Sequence, residues 1–427
     1  MEAPSAAAYL LRQVRVLDPM AQGDRLADVL IYGGQIQAIA PELAAPPDLD
    51  AELITLECPD AVLGPGLMDC YSHASDPGFE SRETIETLAR SALAGGFTRL
   101  MLLPTTQPAV DHAAGLHQLQ ARFDAATDLA TGFWGGLTQG LAGHQLSNLV
   151  ELAAAGAVGF TNAEYLPFDL LYAALDYGQS IGKPVALSLC LPSHPTWEGI
   201  TSLQLGLPGV LAGEEAANLA RLLEHLETRS TPVHIMHLAT ARGVALVAAA
   251  KAKGLPITAS TTWLHLLRDT THLASYDPNL RVHPPLGDSE DRQALIAGVA
   301  SGTIDAIAVE HRPYTYEEKT VPFAEAPPGV IGLQTALPLL WHHLVKPGRL
   351  SALALWQALS TRPAQCLQQS PPLVAVGESA ELTLFDPHQR WPATSATLAS
   401  RSSNLPWFNQ EILGQVVQTW VAGRAQL

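Results

Sequence analysis

From Ser81 to Val309 the chain repeats one pattern: a helical stretch with an apolar stripe, then a short apolar run ended by a breaker or a polar residue. Alternation of this kind favours a parallel sheet, because parallel strands need long crossover connections and helices supply them. In the clearest unit Ser81 can cap a helix in which Ile85, Leu88, Ala89, Ala92 and Leu93 follow i, i+3, i+4, i+7, i+8, and Gly95-Gly96 can end it. Arg99 to Leu103 then forms a buried strand stopped by Pro104. Further units place His234-Ile235-Met236-His237 before a helix at 241–253, and Ala306-Ile307-Ala308-Val309 after a helical stretch containing Leu295, Ile296 and Val299. A closed (β/α)8 TIM-type barrel explains the repetition. Such barrels carry their chemistry at the C-terminal ends of the strands, the places held by His237 and Glu310.

The two ends of the chain have a different texture. Tyr9-Leu10-Leu11, Asp28 to Tyr32 and Gln35 to Ile39 are β-type runs around a Gly33-Gly34 turn, and similar runs return at 380–386 and 415–423. The expected organisation is a small β-sandwich domain built from 1–60 and 373–427, with the barrel at 61–372. A chain of 427 residues accommodates a barrel of about 250 residues and a smaller unit.

A formal charge of −17 argues against a nucleic-acid partner, which needs a basic surface. No apolar run reaches membrane-spanning length, and Met1-Glu2-Ala3-Pro4 does not open an export signal, so a cytoplasmic protein is expected. Cys58, Cys70, Cys190 and Cys366 are widely spaced, which fits free thiols in a reducing compartment.

The segment Gly64-Pro65-Gly66-Leu67-Met68-Asp69-Cys70-Tyr71-Ser72-His73 resembles the opening metal-binding strand of the amidohydrolase superfamily, whose usual form ends D-x-H-x-H. Asp76-Pro77-Gly78, Glu83-Thr84-Ile85, Ala94 to Thr98 and Leu205 to Gly209 are similar to type I dihydroorotases. So are Pro284-Pro285-Leu286, Glu317-Glu318-Lys319, Pro322 to Pro327, Gly332 to Leu340 and Asn404-Leu405-Pro406. The resemblance covers nearly the whole chain. It implies hydrolysis of a dihydropyrimidine ring amide by zinc-activated water, so the identity of each ligand decides activity.

Several of those positions have changed. Histidines at i and i+2 of a strand face the same way, and here the first is Tyr71, a phenol with a reference pKa of about 10 and a poor ligand near neutrality. Asn162 stands where the family has a bridging carboxylate, and Ser188 where it has a histidine. His73 and His237 are retained. Glu310, in Glu310-His311-Arg312-Pro313-Tyr314, replaces the Asp of D-H-A-P-H that is both ligand and general base. It keeps the charge but shifts the oxygens, and a displacement of about 1 Å can cost on the order of 100-fold in rate. Among substrate positions, Ser75 replaces the H-x-R arginine, Thr105 and His283 replace asparagines, and Tyr314 replaces a histidine.

Two readings of the remnant stand side by side. His73, His237 and Glu310 form a residual metal site, with Glu310 the catalytic base of a mononuclear zinc amidohydrolase acting on dihydroorotate or on a hydantoin- or allantoin-like amide. Alternatively they are hydrogen-bonded buried groups in a pseudoenzyme that binds no cofactor or one weak zinc. Arg312 either binds an anion or caps the old pocket by pairing with Glu310, and His234 is structural. The resemblance further implies a non-catalytic role beside the aspartate transcarbamoylase catalytic subunit in pyrimidine synthesis. A homo-oligomer is expected, with neither nucleic-acid nor membrane partners.

Overall fold

A computed structural model describes residues 7–46, 51–163, 166–190 and 194–426. Parallel pairing runs through Leu67–Ser72, Phe97–Leu102, Ala130–Phe133 with Gly135–Gly136, Phe160–Thr161, Val185–Leu187, Val233–Ile235, Ile257–Thr262 and Ala306–Ala308. The third of these is one strand broken at Trp134, whose amide still donates to Leu102 O at 2.9 Å. Closure between the last strand and the first uses a side chain as well as backbone. Asp69 accepts from Val309 N at 2.7 Å, His73 N donates to His311 O at 2.9 Å, and His311 N donates to Ser72 Oγ at 3.1 Å. The barrel expected from the repeat is the architecture observed.

The helix after the first strand spans Ile85–Ala94 and buries the apolar stripe read in the sequence. Its cap is Thr84, not Ser81: Thr84 accepts from Thr87 N while Thr87 Oγ1 accepts from Thr84 N, a reciprocal box that Ser81 lies too far upstream to make. Gly95 ends it against another backbone, since a β-carbon there would lie 1.9 Å from Leu333 O. Gly96 follows with φ +83°, a conformation that favours glycine.

Strands from both chain ends share one eight-stranded sheet. Val62–Pro65 joins the halves, pairing parallel with Ala8–Asp18 on one side and antiparallel with Leu382–Pro392 on the other. This joining strand lies beyond residue 60, where the sequence pattern put the end of the small domain. Val29, Ile31, Ile36, Leu63, Leu382, Leu384 and Trp420 give the sheet its own core. All four cysteines are free and buried. Among the described residues no helix is long and apolar enough to cross a membrane.

Candidate functional site

Tyr71 is fully buried on the first barrel strand, within the cluster that fills the barrel's interior. Its hydroxyl lies 2.7 Å from Ser260 Oγ and accepts from His237 N at 3.2 Å. Ser260 Oγ in turn meets His234 Nε2 at 2.8 Å, and His234 Nδ1 meets Thr258 Oγ1 at 2.8 Å. A phenol, a hydroxyl and an imidazole thus form a buried hydrogen-bonded chain across three strands. Burial pushes the His234 pKa down to about 3, so this imidazole is neutral near pH 7. Burial, reinforced by the nearby Glu310, holds the Tyr71 phenol well above its ordinary pKa. Tyr71 also sets its ring edge-on to His237, with centroids 4.9 Å apart.

His237 and Glu310 follow the sixth and eighth barrel strands, and both adopt left-handed backbone, φ 54° and 50°. Such conformations cost non-glycine residues on the order of 1–3 kcal/mol and concentrate at functional sites. The two side chains meet, His237 Nε2 lying 3.3 Å from Glu310 Oε2. His237 is only 2% exposed, and among the described residues neither ring nitrogen finds a hydrogen-bond partner. Burial holds its pKa well below the usual histidine value, with His283 and His265 adding to the effect. The Glu310 carboxyl is raised to about 8 by burial, against the pull of the Arg312 charge. Near neutrality the pair is therefore a mostly protonated acid beside a neutral imidazole. His73 is held elsewhere, its Nδ1 2.9 Å from Thr105 Oγ1.

The remaining positions have found other partners. Asn162 Oδ1 accepts from Thr138 N at 3.0 Å, and its Nδ2 donates to Thr138 Oγ1 at 2.8 Å. Ser188 Oγ faces His283 Nε2 at 3.5 Å, and that nitrogen lies 3.2 Å from Cys190 O. Ser75 is buried, and its carbonyl accepts from Phe79 N at 2.6 Å. The Tyr314 ring is surrounded by cations: Arg82 Cζ at 4.8 Å, Lys319 Nζ at 5.3 Å and Arg312 Cζ at 5.9 Å from its centroid.

These donors do not fit a metal centre. A neutral phenol whose oxygen is committed to Ser260 and His237 N occupies one expected ligand position, and Asn162 and Ser188 are bonded elsewhere. Among the described residues no three His, Cys, Asp or Glu side chains are placed to hold an ion, so His73, His237 and Glu310 are not brought together as a ligand set. At this site the ring nitrogens of His237 are left without a hydrogen-bond partner among the described residues.

Two features escaped the sequence reading. Ser260 anchors Tyr71 and His234 but lies in a β-type run with no distinguishing motif. Glu83 and His311 form a fully buried pair at 3.3 Å. His311 Nδ1 accepts from Gly332 N at 3.2 Å, so its proton sits on Nε2 and points at Glu83. Glu83 also takes hydrogen bonds from Thr87 and Ser400 and from Arg401 N at 3.0 Å. Burial alone would raise its pKa, but the His311 hydrogen bond, helped by those of Ser400 and Thr87, outweighs it and holds the carboxyl below the usual glutamate value.

The Tyr71 hydroxyl gives a direct test of the buried chain. Tyr71→Phe is expected to destabilise the fold by about 1–3 kcal/mol, because Ser260 and His237 N each lose a buried partner. An unchanged urea midpoint would show that this chain contributes nothing.

The fold is a barrel like that of the solved hydantoinases. L-hydantoinase from Arthrobacter aurescens superposes with a TM-score of 0.81 at 20% identity, covering 98% of this chain and 95% of that one. D-hydantoinase from Thermus sp. gives 0.80 at 22% identity, covering 98% and 94%. Residues 60–202 match the family described as dihydro-orotase-like. A probable dihydroorotase-like protein of Synechocystis sp. is 41% identical, covering 95% of this chain and 98% of that protein. The dihydroorotase of Solibacter usitatus is 34% identical, covering 97% and 96%. The chain belongs to the dihydroorotase family.

Proposed function

We propose that this dihydroorotase homologue of pyrimidine biosynthesis does not hydrolyse dihydroorotate and serves as a non-catalytic assembly partner of the aspartate transcarbamoylase catalytic subunit. One observation carries the loss of activity: the Tyr71 oxygen, bonded to Ser260 and His237 N, stands where the resemblance implies a metal-binding imidazole. Ring-amide hydrolysis needs an activated water and a polarised carbonyl. The His237 and Glu310 pair can exchange a proton, but neither side chain supplies a Lewis acid. Ser75 in place of arginine removes the bidentate partner for a substrate carboxylate, so recognition is weakened together with chemistry. The retained barrel is then useful as a surface, and the transcarbamoylase subunit is the partner the family resemblance suggests.

Zinc content by elemental analysis, measured beside a dihydroorotate assay on the same sample, tests the inactivity. Less than about a tenth of a metal per chain and no turnover are expected, given that tight structural zinc sites bind stoichiometrically. Stoichiometric zinc with turnover lost in Glu310→Gln would instead establish a mononuclear amidohydrolase using His73, His237 and Glu310. For the partnership, this chain and the transcarbamoylase subunit should migrate as one complex at micromolar concentration. Separate migration removes that role.

A further inference from the structure

The helix Ala336–Leu340 continues into a π-helical turn, Trp341–Val345, closed where Lys346 N donates to Trp341 O at 2.9 Å. Turns of this kind are rare and occur mostly at functional sites. This one meets the small β domain at a cavity of about 370 Å³. Trp341, His342 and Lys346 line it from the helix, and Leu26, Asp60 and His388 from the sheet and its loops. A volume in this range suits one small organic molecule.

Two opposite charges line this cavity without meeting. Lys346 and Asp60 are both exposed, and neither side chain makes a hydrogen bond or an ion pair among the described residues. Arg15, also on the cavity wall, is already answered by Asp24, whose two oxygens lie 2.8 and 2.7 Å from its Nε and Nη2. His342 Nδ1 is buried without a hydrogen-bond partner. Burial, with Lys346 adding to it, lowers the His342 pKa, so this imidazole is neutral near pH 7 and leaves the positive charge to Lys346. A ligand that carries both an anionic and a cationic group can therefore make a charge-assisted hydrogen bond at each end.

Much of the remaining wall is apolar. Trp341 is 8% exposed and is held edge-on to Trp356 and Phe385, with centroids 6.4 and 5.4 Å away. Leu26 lies opposite Arg15 in the pairing of the first two strands and is 65% exposed. A leucine left in water and a rigid tryptophan on the same cavity favour a ligand with an apolar body that covers them. We propose that this junction cavity binds a small zwitterion with an apolar side chain, an amino acid of the phenylalanine kind. Its carboxylate meets Lys346, its ammonium meets Asp60, and its side chain lies against Trp341 and Leu26. None of these residues belongs to the His237 and Glu310 site, so the assignment stands apart from the question of catalysis.

L-phenylalanine titrated into the full chain, followed by calorimetry and saturation-transfer NMR, tests the site. Saturable binding at millimolar concentration or tighter is expected. Hydrocinnamate lacks the ammonium and phenethylamine lacks the carboxylate; each should bind at least about tenfold more weakly, the effect of losing one charge-assisted hydrogen bond. Lys346→Met and Asp60→Asn should each weaken phenylalanine binding by about tenfold. Both replace exposed side chains without protein partners, so the fold should survive. The two ends of the ligand are also separable: Lys346→Met should leave phenethylamine binding unchanged, and Asp60→Asn that of hydrocinnamate. Absence of saturable phenylalanine binding, equal affinity for either one-charge analogue, or unchanged phenylalanine affinity in either variant would overturn the assignment.

Discussion

Asp69→Ala is expected to destabilise the fold by about 3–5 kcal/mol, the range seen when a buried charged hydrogen-bonding partner is removed. Asp69 is fully buried, and its carboxylate accepts from Ser72 Oγ at 2.5 Å and from Val309 N at 2.7 Å, with the Tyr71 and Glu310 amides also directed at it. Truncation leaves these donors without water or protein to receive them. The Val309 bond belongs to the seam that closes the barrel, so the strands framing Tyr71 and Glu310 would separate first. Asp69→Asn keeps the shape and one acceptor oxygen, and should lose less, about 1–2 kcal/mol. Urea unfolding of the three proteins gives the comparison, and equal midpoints for wild type and Asp69→Ala would sink the closing role.

Stability should fall by about 2 kcal/mol between pH 6.5 and pH 5.5. On the acid side the cause is burial of neutral imidazoles: His234 is pushed down to about 3, His265, His283 and His343 to about 4, and His73 and His237 well below the ordinary value. Below pH 6.5 the unfolded chain binds protons that these groups refuse in the fold, so stability drops as pH falls toward their folded values. Glu83, with its carboxyl held low, adds to this loss at still lower pH. Asp69 and Glu215, raised to about 7, and Glu310, raised to about 8, act the other way. Their unfolded forms release protons first, so stability drops as pH rises from about 4 toward 7 or 8. Where the two windows overlap, the named imidazoles outnumber the raised carboxyls and decide the sign. Above pH 7 the raised carboxyls go on lowering stability, while Lys319, its amine pushed down to about 7 by burial, opposes them because its unfolded form keeps a proton that the fold releases. Urea midpoints at pH 5.5 and 6.5 should trace this fall, and Glu310→Gln, which removes one of the opposing carboxyls, should steepen it. A flat profile would contradict it.

The architecture was legible in the sequence because it rests on periodicity. The stripe from Ile85 to Leu93 and the run from Arg99 to Leu103 each specify a local element, and their alternation specifies the parallel sheet. The cap was misplaced by three residues, at Ser81 instead of Thr84, because the choice depends on where Thr87 falls in the first turn. The strand Val62–Pro65, which welds the two ends into one sheet, is too short to announce its pairing partners.

The positions around the old site were legible as residue types only. That His73 and His237 remain, while Tyr71, Asn162, Ser188 and Ser75 stand elsewhere in the pattern, follows from the text of the chain. What each side chain does was decided by partners far away along it. Tyr71 is fixed by Ser260, 189 residues on; His311 is fixed by Glu83, 228 residues away; Asp69 receives its hydrogen bond from Val309, 240 residues on. Local sequence sets the element and the direction in which a side chain leaves it. Whether that side chain becomes a ligand, a hydrogen-bond partner or a buried cation depends on the groups that barrel closure brings against it, because desolvation and pairing act through space and only the closed barrel defines which groups are neighbours.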